Sequence, residues 1–258
     1  MLDLTKLKDY KEPITMLTTY DALFAKLFDP LVDMLLVGDS LNMSFAGEKD
    51  TLSATMDMMI YHTRVVSRET KSSCVVCDMP FGSYTDKHLA LKNASRVYQE
   101  TDAHAVKIEG GESRADIIKH LTSNSIAVVG HIGLMPQNAR LEGGYKIKGR
   151  TKKEIDQLLK DAKVVQEAGA FAIVIEGVIA EVAQMITKEL EIPTIGIGSG
   201  NQTDGQVLVW SDMLGLYQEF KPKFVKQYLN GAELVQNAVK EYVKEVKSRK
   251  FPSEEYTY

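Results

Sequence analysis

Residues 34–40 read MLLVGDS: an apolar run, a glycine, then an acid and a hydroxyl. The same order recurs down the chain. SCVVC (73–77) leads into Asp78, and AVKIE (105–109) delivers Lys107 and Glu109. IAVVG (126–130) gives way to His131, FAIVI (171–175) ends at Glu176, and PTIGI (193–197) opens into Gly198-Ser199-Gly200. These runs are solid Val, Ile and Leu rather than alternating, as in strands covered by helices on one face and a packed interior on the other. Chemically useful residues that follow successive parallel strands collect at one end of a barrel.

The segments between the runs read as helices. Strands are expected at 14–18, 34–37, 73–77, 105–108, 126–129, 171–175 and 194–197, with a weak eighth at 213–217. Helices are expected at 20–28, 55–68, 87–100, 113–121, 152–168 and 179–190. Thr203 or Asp204 starts a short helix toward 209, and 225–229 and 232–246 close the chain helically. Asp86 is placed to cap the helix from 87. In 152–168, Ile155, Leu158, Leu159, Ala162, Val165 and Ala168 form one stripe, which Gly169 ends. Two polar stretches, 39–50 and 133–150, are longer than ordinary connections, a length usually tied to function.

The reading is α/β: a (β/α)8 TIM barrel, a single domain over 1–258, with a short N-terminal helix over 5–11 and a C-terminal helical extension. The length of 258 residues matches the roughly 250 such a barrel uses. An open doubly wound sheet fits less well. No G-x-G-x-x-G follows the first strand, and GIGSG comes only at the seventh, where barrels often bind anions.

Composition narrows the function. A formal charge of -4 argues against a general polyanion binder, so no nucleic acid is expected. No apolar run approaches the roughly 20 residues of a membrane span, and the N-terminus lacks a secretory h-region. Cys74 and Cys77, the two cysteines, read as buried thiols, because i and i+3 on a strand face opposite ways. The expected location is the cytoplasm.

Asp39, Asp78 and Glu109 follow three successive strands, and carboxylates gathered there would repel one another. A hard divalent ion such as Mg²⁺ relieves that repulsion and prefers oxygen ligands. Capping or ion pairing is the plainer alternative for each. Lys107 and Glu109 are i,i+2 and share a strand face. Lys107 is placed to bind a substrate carboxylate or to pair with Asp78 or Glu109. His131 is placed to donate a hydrogen bond to an oxyanion or a carboxylate, and Ser40 to add a hydroxyl. Glu176, set among apolar residues across the barrel from the acidic side, suits general-base work or caps the next helix.

Nine segments together carry a resemblance: TTYDALFAKLFD, VGDSLNM, YHTRVVSR, CDMPFGSY, VKIEGG, VVGHIGLMPQ, GGYKIKGR, IPTIGIGSG and TDGQVLV. They span about residues 18 to 215, and the chain resembles the ketopantoate hydroxymethyltransferase family. The resemblance implies a (β/α)8 barrel assembled as a homodecamer. It implies transfer of a one-carbon unit from 5,10-methylenetetrahydrofolate to 3-methyl-2-oxobutanoate, giving 2-dehydropantoate, with one Mg²⁺ per subunit. It implies Asp39, Asp78 and Glu109 as magnesium ligands. Asp39, Ser40, Asp78 and Lys107 form the implied ketoacid-binding set, His131 the active-site histidine and Glu176 the proton acceptor. The bulky folate is expected across the open mouth, near 133–150.

The chain departs from the family pattern in three places. Ile179 stands where the family has proline, Ser211 where it commonly has histidine, and EEYTY varies the usual ending. Two rivals remain at this stage. One is a Mg-dependent enzyme like phosphoenolpyruvate mutases and isocitrate lyases. The other is an inactive barrel kept for binding or assembly.

Overall fold

The computed structural model describes residues 4–218 and 221–258. Eight strands, all parallel, close a barrel in sequence order. They are β1 (Ile14–Thr18), β2 (Met34–Val37), β3 (Cys74–Asp78), β4 (Ala105–Glu109), β5 (Val128–Gly133), β6 (Ala172–Glu176), β7 (Thr194–Ile197) and β8 (Gly205–Leu208). β8 closes on β1 from Ile14↔Gly205 to Leu17↔Leu208.

Strand alternation decides what faces inward. One buried cluster holds Ile14 and Met16, Met34 and Leu36, Cys74 and Val76, Ala105, Val129, Ala172 and Val174, Ile195 and Ile197, and Val207. These are i,i+2 sets, so they fill the barrel. Leu7, from the 3-10 helix Leu4–Asp9 that precedes β1, joins the same cluster. Continuing each set by two residues reaches Asp78 on β3, Lys107 and Glu109 on β4, His131 on β5 and Glu176 on β6. The intervening residues, such as Val75, Cys77, Ile108 and Ile173, are buried on the other face, under the helices. Cys74 and Cys77 are therefore on opposite faces, both free and buried, each thiol pushed up to about 12 by burial.

The helices start where the side chains allow. Asp86 accepts from the backbone N–H of His88 and Leu89 and caps Lys87–Glu100. Thr151 and Glu154 form a reciprocal capping box on Lys152–Glu167. That helix buries Leu158, Ala162 and Val165. It lies so close to β5 that a Cβ on Gly130 would sit 2.4 Å from the Val165 side chain.

The last third departs from the sequence reading. The eighth strand is Gly205–Leu208, not 213–217, and no short helix starts at Thr203 or Asp204. Asp204 looks like a cap, but its Oδ2 accepts from Thr194 N, Thr194 Oγ1 and Lys8 Nζ instead. Gly205 has no side chain because Ile14 O would lie 2.5 Å from its Cβ. β8 is short and carries an exposed glutamine, so it lacks an apolar signal. Residues 225–229 are irregular, with a bend at Tyr228, rather than helix. β5 runs on to Gly133, which places His131 inside the strand. Neither long connection is structureless: Leu41–Ser44 is helical in the first, and Pro136–Asn138 and Ala139–Glu142 are helical in the second.

The chain divides into two compact units, Met1–Val209 and Trp210–Tyr258. The first is the barrel. The second contains the helices Trp210–Met213 and Gly231–Lys247, with Tyr242, Phe251 and Tyr256 in successive ring contacts at 5.7 and 5.9 Å. No helix among the described residues is long and apolar enough to cross a membrane.

Candidate active site

The inward sets end in a buried ionic cluster at the C-terminal end of the barrel. Asp39, Asp78, Lys107, Glu109 and His131 are each 5% exposed or less. Strand register makes neighbours of Asp78 and Lys107, and of Glu109 and His131. Lys107 Nζ lies 2.7 Å from Asp78 Oδ1, an ion pair off the hydrogen-bonding line, and 3.2 Å from His131 Nδ1. His131 Nε2 in turn lies 3.4 Å from Glu176 Oε2, within reach but not aligned as a hydrogen bond. Its Nδ1 is 3.6 Å from Glu109 Oε1.

Glu176 was expected across the barrel from the acids. That holds for Asp39, since β6 lies opposite β2 in the closed order, but not for Glu109: a single imidazole separates Glu176 from Lys107 and Glu109, because β5 lies between β4 and β6. Glu176 does not cap the following helix, whose N-cap is Ile179 without a side-chain bond. Gly133, at φ +96, lets β5 turn away against Glu176 O, which accepts from Leu134 N at 2.7 Å. A Cβ there would stand 2.2 Å from that oxygen.

Two residues that sequence reading did not single out tie the acids together. Gln137 Nε2 donates to Asp39 Oδ2 at 2.9 Å and to Met79 O at 3.0 Å. The Gln137 backbone N–H donates to Glu109 Oε2 at 3.1 Å. Tyr84 hydroxyl donates to Gln137 Oε1 at 2.5 Å. Asp39 N donates to Asp78 Oδ2 at 3.3 Å. Both residues stand inside quoted motifs, CDMPFGSY and VVGHIGLMPQ, but neither belongs to a strand-end pattern. Ser40 Oγ, on the rim, is 2.9 Å from Tyr20 hydroxyl. Ser199 faces inward to the scaffold: it donates to Ile175 O and accepts from Val178 N, bracing the turn beyond Glu176.

Three carboxylates against one ammonium leave the cluster short of positive charge. Burial, and then Asp78, push the Asp39 carboxyl up to about 8. Burial also holds Glu109 well above the usual carboxylate range, with Asp39, Asp78 and Glu176 adding to the rise and Lys107 opposing it. Burial works against the Lys107 charge, yet Asp78, Glu109 and Asp39 raise it above the ordinary lysine value. Burial and Lys107 lower His131, which is therefore neutral. Glu109 Oε1 has no hydrogen-bond partner among the described residues. No three His, Cys, Asp or Glu side chains among the described residues close on one point as a metal cage.

The family model for ketopantoate hydroxymethyltransferase matches residues 1–254. The 3-methyl-2-oxobutanoate hydroxymethyltransferase of Aliarcobacter butzleri is 60% identical over 100% of this chain and 96% of its own length.

The chain belongs to the ketopantoate hydroxymethyltransferase family.

Enzymes of that name from Sulfurimonas denitrificans and Helicobacter pylori strain HPAG1 are 59% and 57% identical, over 100% and 97% of this chain and 98% and 93% of theirs. Solved structures with the same fold include a phosphonopyruvate hydrolase, TM-score 0.64 at 12% identity, covering 99% of this chain and 93% of that one. A 2,3-dimethylmalate lyase has TM-score 0.60 at 14% identity, covering 100% and 92%. These two share the barrel alone, whereas full-length sequence identity lies with the hydroxymethyltransferases. The Ile179 departure has a structural use. Its φ of -50 is near the value proline enforces, and its N–H donates to Lys148 O at 3.1 Å, a bond proline lacks. Ser211 is buried in the helix Trp210–Met213 of the second unit.

Proposed function

We propose that this enzyme transfers a hydroxymethyl group from 5,10-methylenetetrahydrofolate to 3-methyl-2-oxobutanoate, giving 2-dehydropantoate and tetrahydrofolate for pantothenate synthesis. The observation that carries this reading is the buried line of Asp78, Lys107, His131 and Glu176: a fixed cation, a neutral imidazole and a carboxylate at the rim. Such a line holds a small anion and removes one proton beside it.

The ketoacid carboxylate is taken by Ser40 and by the positive charge of Lys107. Glu176, one-fifth exposed and next to His131, accepts the C3 proton. A lysine ammonium only donates, so the His131 Nδ1 facing it accepts and Nε2 carries the hydrogen. That N–H lies on the Glu176 side with no hydrogen-bond partner among the described residues, free to serve a developing oxyanion. The C3 carbanion attacks the methylene carbon of the folate as one of its two C–N bonds opens. The second C–N bond then breaks, water supplies the hydroxyl, and the C3 proton and the remaining water proton end on the two folate nitrogens. The folate lies across the mouth near 133–150.

One Mg²⁺ per subunit fits the donor set: hard oxygens, an excess of negative charge and an unpartnered Glu109 oxygen. Asp39, Asp78 and Glu109 would hold it, in part through water. The lack of a closed cage is compatible with an ion that keeps waters and takes one or two carboxylates directly. When bound, Mg²⁺ polarises the keto oxygen and favours loss of the C3 proton. We place the enzyme in the cytoplasm, as a homodecamer.

The test is a pair of assays on the purified protein. Folate-dependent turnover of 3-methyl-2-oxobutanoate, with no cleavage of 2-methylisocitrate, is expected. Lyase activity without transfer would move the chain to the lyase and mutase chemistry of its structural relatives.

A further inference from the structure

We infer that Gln137 is a positioning residue of the acidic side, with Tyr84 as its lock. The inference rests on the reading above, in which Asp39 and Glu109 hold the ion and the ketoacid.

The geometry leaves the Gln137 amide one orientation. Its nitrogen faces Met79 O, a carbonyl that only accepts, as well as Asp39 Oδ2. Its oxygen faces the Tyr84 hydroxyl, which donates. The backbone N–H of the same residue grips Glu109 Oε2. One residue thus fixes one carboxylate just past β2 and one on β4, strands that are not adjacent in the barrel. Gln137 is 6% exposed and Tyr84 5%, so neither contact is traded with solvent. Asp39 and Glu109 each keep one oxygen outside this grip, and in Glu109 that oxygen is unpartnered. Outer partners of this kind aim a carboxylate's remaining lone pairs, and their loss typically costs about 10–100-fold in metal affinity or activity.

The placement of Gln137 also explains a local oddity. It sits at the start of the connection after β5, in the 3-10 turn Pro136–Asn138. Pro136 fixes that turn and delivers the Gln137 side chain back over the barrel, far in sequence from Asp39. A connection meant only to join β5 to the next helix does not need a buried amide at this point.

Gln137→Leu removes the amide and keeps the backbone N–H to Glu109. Tyr84→Phe removes a single hydroxyl. Gln137→Glu sets a carboxylate against Asp39. Calorimetry with Mg²⁺ alone and with 3-methyl-2-oxobutanoate, together with turnover and thermal melting, is run on all four proteins. Gln137→Leu is expected to lose about 10–100-fold in Mg²⁺ affinity or in kcat/KM. Gln137→Glu is expected to lose at least as much, and Tyr84→Phe a smaller amount in the same direction. A purely structural role would lower the melting temperature and leave affinity and kcat/KM per folded molecule unchanged; that result overturns the inference. If Gln137→Leu does not fold, Tyr84→Phe decides: a loss of threefold or more supports the inference, and wild-type values overturn it. Wild-type protein that binds no Mg²⁺ would defeat the metal assignment alone. Ketoacid affinity in the same variants then judges Gln137 by the same limits.

Discussion

A lysine ammonium has hydrogens to give and no lone pair to take. Buried beside His131, Lys107 therefore sets the histidine's tautomer and holds its proton affinity down. Lys107→Met removes that cation while leaving the burial, so the His131 titration should move upward. Nitrogen-15 NMR of the imidazole reads this, and an unmoved or lower value contradicts the coupling. The acids behave in the opposite sense. Burial and Asp78 raise Asp39 to about 8, so at pH 7 its carboxyl keeps a proton in the metal-free protein. A divalent cation must displace that proton. Mg²⁺ affinity should therefore climb with pH toward 8, with proton release detectable by calorimetry in buffers of different ionisation enthalpy. Affinity that is flat or falls with pH contradicts the assignment. Asp78, Lys107, Glu109, His131 and Glu176 were legible because strand periodicity puts them on one face, and Asp39 because it follows an apolar run directly. Gln137 was not, because its partner Asp39 is 98 residues away and only folding makes it a partner.

At the scale of elements, the base ends β6, and the turn that follows it is braced from three sides. Ser199 bonds Ile175 O and Val178 N, Leu134 N bonds Glu176 O, and Ile179 N bonds Lys148 O. The last of these anchors the 133–150 connection beside Glu176, and it exists because residue 179 is not proline. Ile179→Pro keeps the local φ but deletes the donor. The lost bond should cost about 0.5–1.5 kcal/mol, part of it offset by a stiffer unfolded chain. The larger effect should be faster amide exchange in 143–150. Exchange unchanged there would mean that the bond does not hold the connection. The elements with strong periodicity, such as Lys152–Glu167 and the strands β2 to β7, were legible from their apolar pattern. β8 was not. A barrel needs a glycine where β8 meets Ile14, and a polar, glycine-led strand has no apolar run to announce it.

At the scale of the whole molecule, the helix Gly231–Lys247 presents Val235, Val239, Tyr242 and Val246 at i, i+4, i+7 and i+11. All four are exposed, between 42% and 56%. A single apolar stripe of this kind on a helix is a face for association. The proposed oligomer should therefore depend on it. The double substitution Val239→Glu and Tyr242→Glu should shift sedimentation toward smaller species while each chain keeps its far-UV spectrum. Unchanged sedimentation would put the assembly contacts elsewhere. Catalysis, by contrast, belongs to the barrel mouth, and its central element is Glu176 as the base. That role is tested most directly by exchange of the C3 proton of 3-methyl-2-oxobutanoate in deuterium oxide, followed by proton NMR with Mg²⁺ and without folate. Wild-type protein should exchange it. Glu176→Gln should bind the ketoacid as before and exchange about 10²–10⁴-fold more slowly, the usual worth of a positioned base. Exchange at the wild-type rate in Glu176→Gln would contradict the account.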